Sequence, residues 1–131
     1  MEQPAVGPVV EAVIDALGGS GSEAVAAYLD EETLLHMPGG SGFAGDFQGR
    51  DAICGLIDRM VEVSGGTLRF ETACTTARDG GSVRLSGGVR GQRLVRSLRM
   101  NASVEMTVTG GTIREAWLAC SDQPGWDAFW A

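Results

Sequence analysis

Apolar residues recur along this chain with two periods, and the change from one to the other divides it near its middle. Ala52, Ile53, Leu56, Ile57, Met60 and Val61 return at three- and four-residue steps, while Asp51, Asp58, Arg59 and Glu62 take the other side. The spacing predicts a two-faced helix entered through Gly49, with one face that must be buried. Ahead of it, Val9, Val10, Val13, Ile14 and Leu17 form a second helical stripe behind Pro4 and Pro8, stopped by Gly18-Gly19. Ser20 and Glu23 spell an S-x-x-E capping box, and Ala24, Val25, Tyr28 and Leu29 predict another short helix. Thr33 to Met37 reads as a strand ended by Pro38-Gly39-Gly40, followed by a loop through Phe47.

Beyond Gly66 the period falls to two. Thr67 to Thr76 alternates, Arg78-Asp79-Gly80-Gly81 predicts a hairpin turn, and Val83 to Val89 predicts the returning strand. A turn at Arg90-Gly91-Gln92 leads to a long strand, Leu94 to Val108. There Leu98, Met100, Ala102, Val104, Met106 and Val108 share one face, and Arg99, Asn101, Ser103, Glu105 and Thr107 the other. Thr109-Gly110-Gly111 turns into a last strand, Thr112 to Cys120, and the tail from Ser121 carries two of the three tryptophans. Helices first and hairpin-linked strands after is an α+β plan: a curved sheet wraps the long helix and leaves an apolar hollow at one end. Such a hollow suits a hydrophobic small molecule.

The 131 residues suffice for one domain, 1–131, with a single core. No apolar stretch approaches the ~18 residues needed to cross a bilayer, and the first residues lack a basic leader, so a soluble, cytoplasmic protein without membrane attachment is expected. Cys54, Cys74 and Cys120 are odd in number, far apart and in no C-x-x-C pair, which predicts reduced thiols and no zinc knuckle. A net charge of −7 argues against a nucleic-acid partner, whose phosphates require a basic surface. The charge is uneven, because residues 66–131 hold eight arginines against six acids, while residues 1–65 hold two against eleven. Arg84, Arg90, Arg93, Arg96 and Arg99 follow one another with no acid among them, which fits a sheet's outer face that pairs with acids or takes an anionic ligand.

Three local patterns carry a resemblance: H-M-P-G at His36 to Gly39, A-G-D-F-Q-G-R-D-A at Ala44 to Ala52, and E-A-W-L-A-C-S-D-Q-x-x-W-D-A-F-W from Glu115 to Trp130. With the element order, they resemble the SnoaL-like polyketide cyclases within the superfamily of nuclear transport factor 2 and the ketosteroid isomerases. The resemblance spans nearly the whole chain and implies a cone-shaped, mixed but mainly antiparallel sheet around helices, the cystatin-like α+β barrel. It also implies a homodimer through the outer sheet face and a hydrophobic substrate inside the cone. The implied chemistry is cofactor-independent acid/base catalysis of bacterial secondary metabolism, by cyclisation, isomerisation or dehydration. Because one such fold hosts many reactions, two further readings stand: a non-catalytic carrier, and an epoxide hydrolase of the limonene epoxide hydrolase type.

Aligned with ketosteroid isomerase, the oxyanion tyrosine falls on Val13, the proton-shuttling aspartate on Met37 and a further aspartate near Val104. A methyl group moves no proton, so that route is closed. His36 is the single histidine and the one side chain whose ordinary pKa lies near neutrality. It is the first candidate acid/base, with its side of the strand left open by the sequence. Asp122 matches the region of the cyclases' aspartate, and Asp46 sits in the loop opposite. The expected pocket wall is Tyr28, Met37, Val104, Met106 and Trp117. Gly40 to Gly45 spells G-x-G-x-x-G, but the helix opens only at Arg50 and the loop carries Asp46, against nucleotide binding. No G-x-S-x-G elbow occurs, and no grouping of ligands predicts a metal.

Overall fold

The computed structural model describes residues 6–77 and 79–131. Helix α1 (Val6–Asp15) unwinds through a wide turn at Ala16–Ser20 and gives way to β1 (Leu34–Met37) and β2 (Gly45–Gln48). Helix α2 (Arg50–Val63) is followed by β3 (Arg69–Ala77), β4 (Ser82–Arg93), β5 (Arg96–Thr109), β6 (Thr112–Cys120) and helix α3 (Gln123–Trp130). The strands form one six-stranded sheet in the order β2-β1-β6-β5-β4-β3. β1 runs parallel to β6 and every other pairing is antiparallel, so the sheet is mixed and open, with β2 and β3 as its edges.

The two periods read from the sequence are both realised. On α2, Ile53, Leu56 and Met60 are buried, and each such side chain contributes about 1.5–3 kcal/mol relative to exposure. On β5, Leu98, Ala102, Val104, Met106 and Val108 are buried on the inner face, Met100 is half-buried, and the residues between them face outward. β4 lies between β3 and β5, and its Gly87 sits where an added Cβ would meet the Glu71 carbonyl oxygen at 2.0 Å. The missing side chain there permits the close approach of β3 beside its bulge between Thr72 and Cys74.

Four local expectations are corrected. The helix expected over Ala24 to Leu29 is a pair of 3₁₀ turns, Ser22–Ala24 and Ala26–Tyr28, entered through Gly21 at φ +84°. The Ser20–Glu23 capping box does not form: the turn is entered at Gly21 with no side-chain cap, and Ser22 is tied to α2, its hydroxyl donating to Asp58 Oδ2 at 2.9 Å and its N–H to Oδ1 at 3.3 Å. The loop before Phe47 contains β2, a strand made by pairing with β1 and not by its own propensity. The turn expected at Arg90-Gly91-Gln92 lies instead at Leu94-Val95, with Leu94 at φ +46°, and β4 continues through Gly91. A Cβ on Gly91 would stand 3.1 Å from the Phe129 ring, so this glycine makes room for α3 and not for a turn.

The tail is helix α3, for which no helix was expected. Asp122 caps it by accepting from the Gly125 N–H at 3.0 Å, with Pro124 in the first turn. Trp126, Phe129 and Trp130 are buried beneath it. Arg93 donates to the Phe129 carbonyl at 2.5 Å and Arg96 to the Ala131 carbonyl, so the β4–β5 hairpin holds the far end of the helix.

Candidate functional site

Between α2 and the inner face of the sheet lies a cavity of about 130 Å³. Val13 on α1, Leu56 and Met60 on α2, Met37 and Met106 on the sheet, and Trp126 on α3 contribute to its wall. Val104 lines it as well, so three of the five expected wall residues are there. The other two are not. Tyr28 packs against the core without reaching the void, and Trp117 faces outward at 40% exposure. Among the described residues no titratable side chain lines the cavity. A dry hollow of comparable size, about 150 Å³ in an engineered apolar core, binds benzene.

Strand parity decides the position of His36. Leu35 and Met37 turn inward to the cavity, so His36 turns to the outer face of the sheet, away from the hollow in which it was expected to act. Its Nδ1 lies 2.7 Å from Asp46 Oδ1 on β2, and its Nε2 lies 2.5 Å from Glu115 Oε2 on β6. Trp117 stacks on the ring, with centroids 5.5 Å apart and planes at 21°. The hydrogen bond to Asp46, then that to Glu115, raise the imidazole's pKa above its ordinary value, and both outweigh the opposing effect of burial. The imidazole thus bridges two carboxylates across three adjacent strands. Glu115 was not foreseen, because only the parallel β1–β6 pairing brings it beside a residue 79 positions away.

Asp122 does not reach the cavity either. Its carboxylate is used as the cap of α3, and the residue borders a solvent-open groove on the outer face with Arg90, Arg99 and Asn101. The three thiols are free. Burial, with Asp127 nearby, pushes the Cys120 thiol up to about 11, and burial also raises Cys54, so neither is a thiolate at neutral pH. Among the described residues, no group of three or more His, Cys, Asp or Glu side chains could hold a metal ion, and no helix is long and apolar enough to cross a membrane.

This cone of helix and sheet is the cystatin-like fold shared by nuclear transport factor 2-like and ketosteroid isomerase-like proteins. The chain superposes on Bal32a, from a soil-derived mobile gene cassette, with a TM-score of 0.90 at 23% identity over 98% of both chains. A protein with a cystatin-like fold from Xanthomonas campestris matches at TM-score 0.87 and 24% identity, over 96% of this chain and 98% of that one. A protein described as a SnoaL-like polyketide cyclase, from Shewanella denitrificans, matches at TM-score 0.72 and 10% identity over 97% of each. Other solved structures with this fold are described as NTF2-like and ketosteroid isomerase-like. No family model matches the sequence, and no curated protein matches it.

Proposed function

We propose that this protein binds a small apolar molecule inside the cone and does not carry out acid/base chemistry there. One observation carries the reading: no titratable side chain among the described residues lines the cavity, whereas His36, Asp46 and Asp122 all lie outside it. Proton transfer requires a group within hydrogen-bond reach of the reacting atom, directly or through one water. Binding needs only burial of apolar surface, at about 25 cal/mol per Å². The outer face, with the His36 cluster at one end and exposed Arg84, Arg90 and Arg99 towards the other, supports a second copy of the chain as partner.

Methylenecyclopentane and cyclopentanone, six heavy atoms each, serve as probes of the hollow. A ligand that binds only the folded state at a hundred times its Kd raises stability by about 2.7 kcal/mol, which urea unfolding detects. Bound cyclopentanone in D₂O should take up deuterium beside its carbonyl no faster than in buffer. Uptake accelerated by the protein, and abolished in His36→Ala or Asp122→Asn, would replace this reading with the acid/base enzyme.

A further inference from the structure

Trp126 and Trp130 are both buried, at 2% and 5% exposure, and neither indole N–H has a hydrogen-bond partner. An indole nitrogen only donates, and a donor left unpaired in the interior keeps the full cost of leaving water. The two residues differ in their surroundings. Trp130 is enclosed by rings: Phe43, Trp126 and Phe129 all meet it in T-shaped geometry, with centroids 5.1, 5.7 and 4.7 Å away. An N–H directed at a ring face is weakly satisfied in such a nest. Trp126 also forms part of the cavity wall, where the remaining lining side chains carry no nitrogen or oxygen.

We infer that the ligand of this cavity is a small apolar molecule bearing one hydrogen-bond acceptor, a ketone, aldehyde, ester or ether oxygen, which takes the Trp126 indole N–H. The inference rests on the cavity being the binding site and adds the chemical class of its occupant. A wholly apolar ligand would leave the donor unpaired. A carboxylate would bring a charge into a wall whose side chains include no cation, so anions are excluded. A ligand with several polar groups would bury all but one of them without partners. The volume of about 130 Å³ limits the body to about the size of benzene unless the wall yields. The indole fixes the orientation of such a molecule and moves no proton, which agrees with binding without acid/base chemistry.

The test compares cyclopentanone with methylenecyclopentane, in which a CH₂ replaces the oxygen at nearly constant shape. Trp126→Phe should weaken the ketone roughly three- to tenfold more than it weakens the hydrocarbon, the size of one net hydrogen bond. In the unmutated protein, one of the three indole N–H proton resonances, identified by its absence from the Trp126→Phe spectrum, should move downfield with the ketone and not with the hydrocarbon. If both probes bind and the variant weakens them equally, or that resonance responds alike to both, the acceptor is not read by Trp126 and the inference is overturned. If neither probe binds, the cavity is not a ligand site, and the binding reading falls together with the inference. Should Trp126→Phe fail to fold, Trp126→His supplies the assignment and the resonance shift decides.

Discussion

Filling the hollow distinguishes an empty interior from a packed one by sign. Ala116, on β6 beside Met106 of β5 and Leu35 of β1, is 8% exposed and lines the cavity. Ala116→Leu adds three carbons to that wall. In a void of about 130 Å³ each added carbon gains about 0.8 kcal/mol on leaving water, roughly 2.4 kcal/mol in all. Freezing the leucine rotamer returns about 0.5–1 kcal/mol, which leaves a net stabilisation of about 1.5–2 kcal/mol. In a filled interior the same atoms would displace their neighbours at a cost of about 1–3 kcal/mol. Urea unfolding reads the difference as a higher midpoint at unchanged slope, and at this chain length the melting temperature should rise by roughly 5–9 °C. The variant also occupies the ligand's place, so the stabilisation that methylenecyclopentane gives the unmutated protein should vanish. A lower midpoint at unchanged slope would refute the hollow and the binding function with it.

Two further outcomes follow from the outer face and the last helix. The His36 imidazole has a raised pKa in the folded state, so the cluster's contribution is complete below the ordinary value of about 6.5 and is lost as pH climbs through the raised one. The stability gap between the unmutated protein and His36→Gln should therefore be widest near about pH 6 and close on the alkaline side; a gap constant across the series would contradict the pairing with Asp46 and Glu115. Asp122→Ala should cost about 1 kcal/mol by removing the cap of α3. It should leave hydrocarbon affinity within about twofold, and a tenfold loss would return this carboxylate to the cavity.

The amphipathic stripe of α2 and the inner face of β5 were legible because both depend on spacing along the chain. So were Met37, Val104 and Met106 as cavity wall, two of them because an apolar run at period two can only face a core. The third was reached through a resemblance in which Met37 stands at the position of a proton-shuttling aspartate. His36 shows where such reasoning stops. Its strand alternates as Leu34, Leu35, His36, Met37, with an apolar residue on each side, so the local pattern assigns neither face to the interior. The choice is made when β1 lies parallel to β6 and beside β2, which surrounds the imidazole with Asp46, Glu115 and Trp117.

The end of the chain makes the same point in another way. Eight residues are too few to hold a helix by propensity alone, and α3 exists because the sheet buries its three aromatic rings, Asp122 caps it and Arg93 holds its far end. That packing displaced the expected turn from Gly91 to Leu94 and put Trp126 in the cavity wall. The sequence by itself determined which residues are apolar and with what period, and hence the helix, the strands and the existence of a core, because these follow from neighbours a few positions apart. The tertiary structure alone decided which side of β1 is wet, which carboxylates meet the histidine and which indole borders the void. Each of those depends on surfaces brought together from distant parts of the chain, and no local period records them.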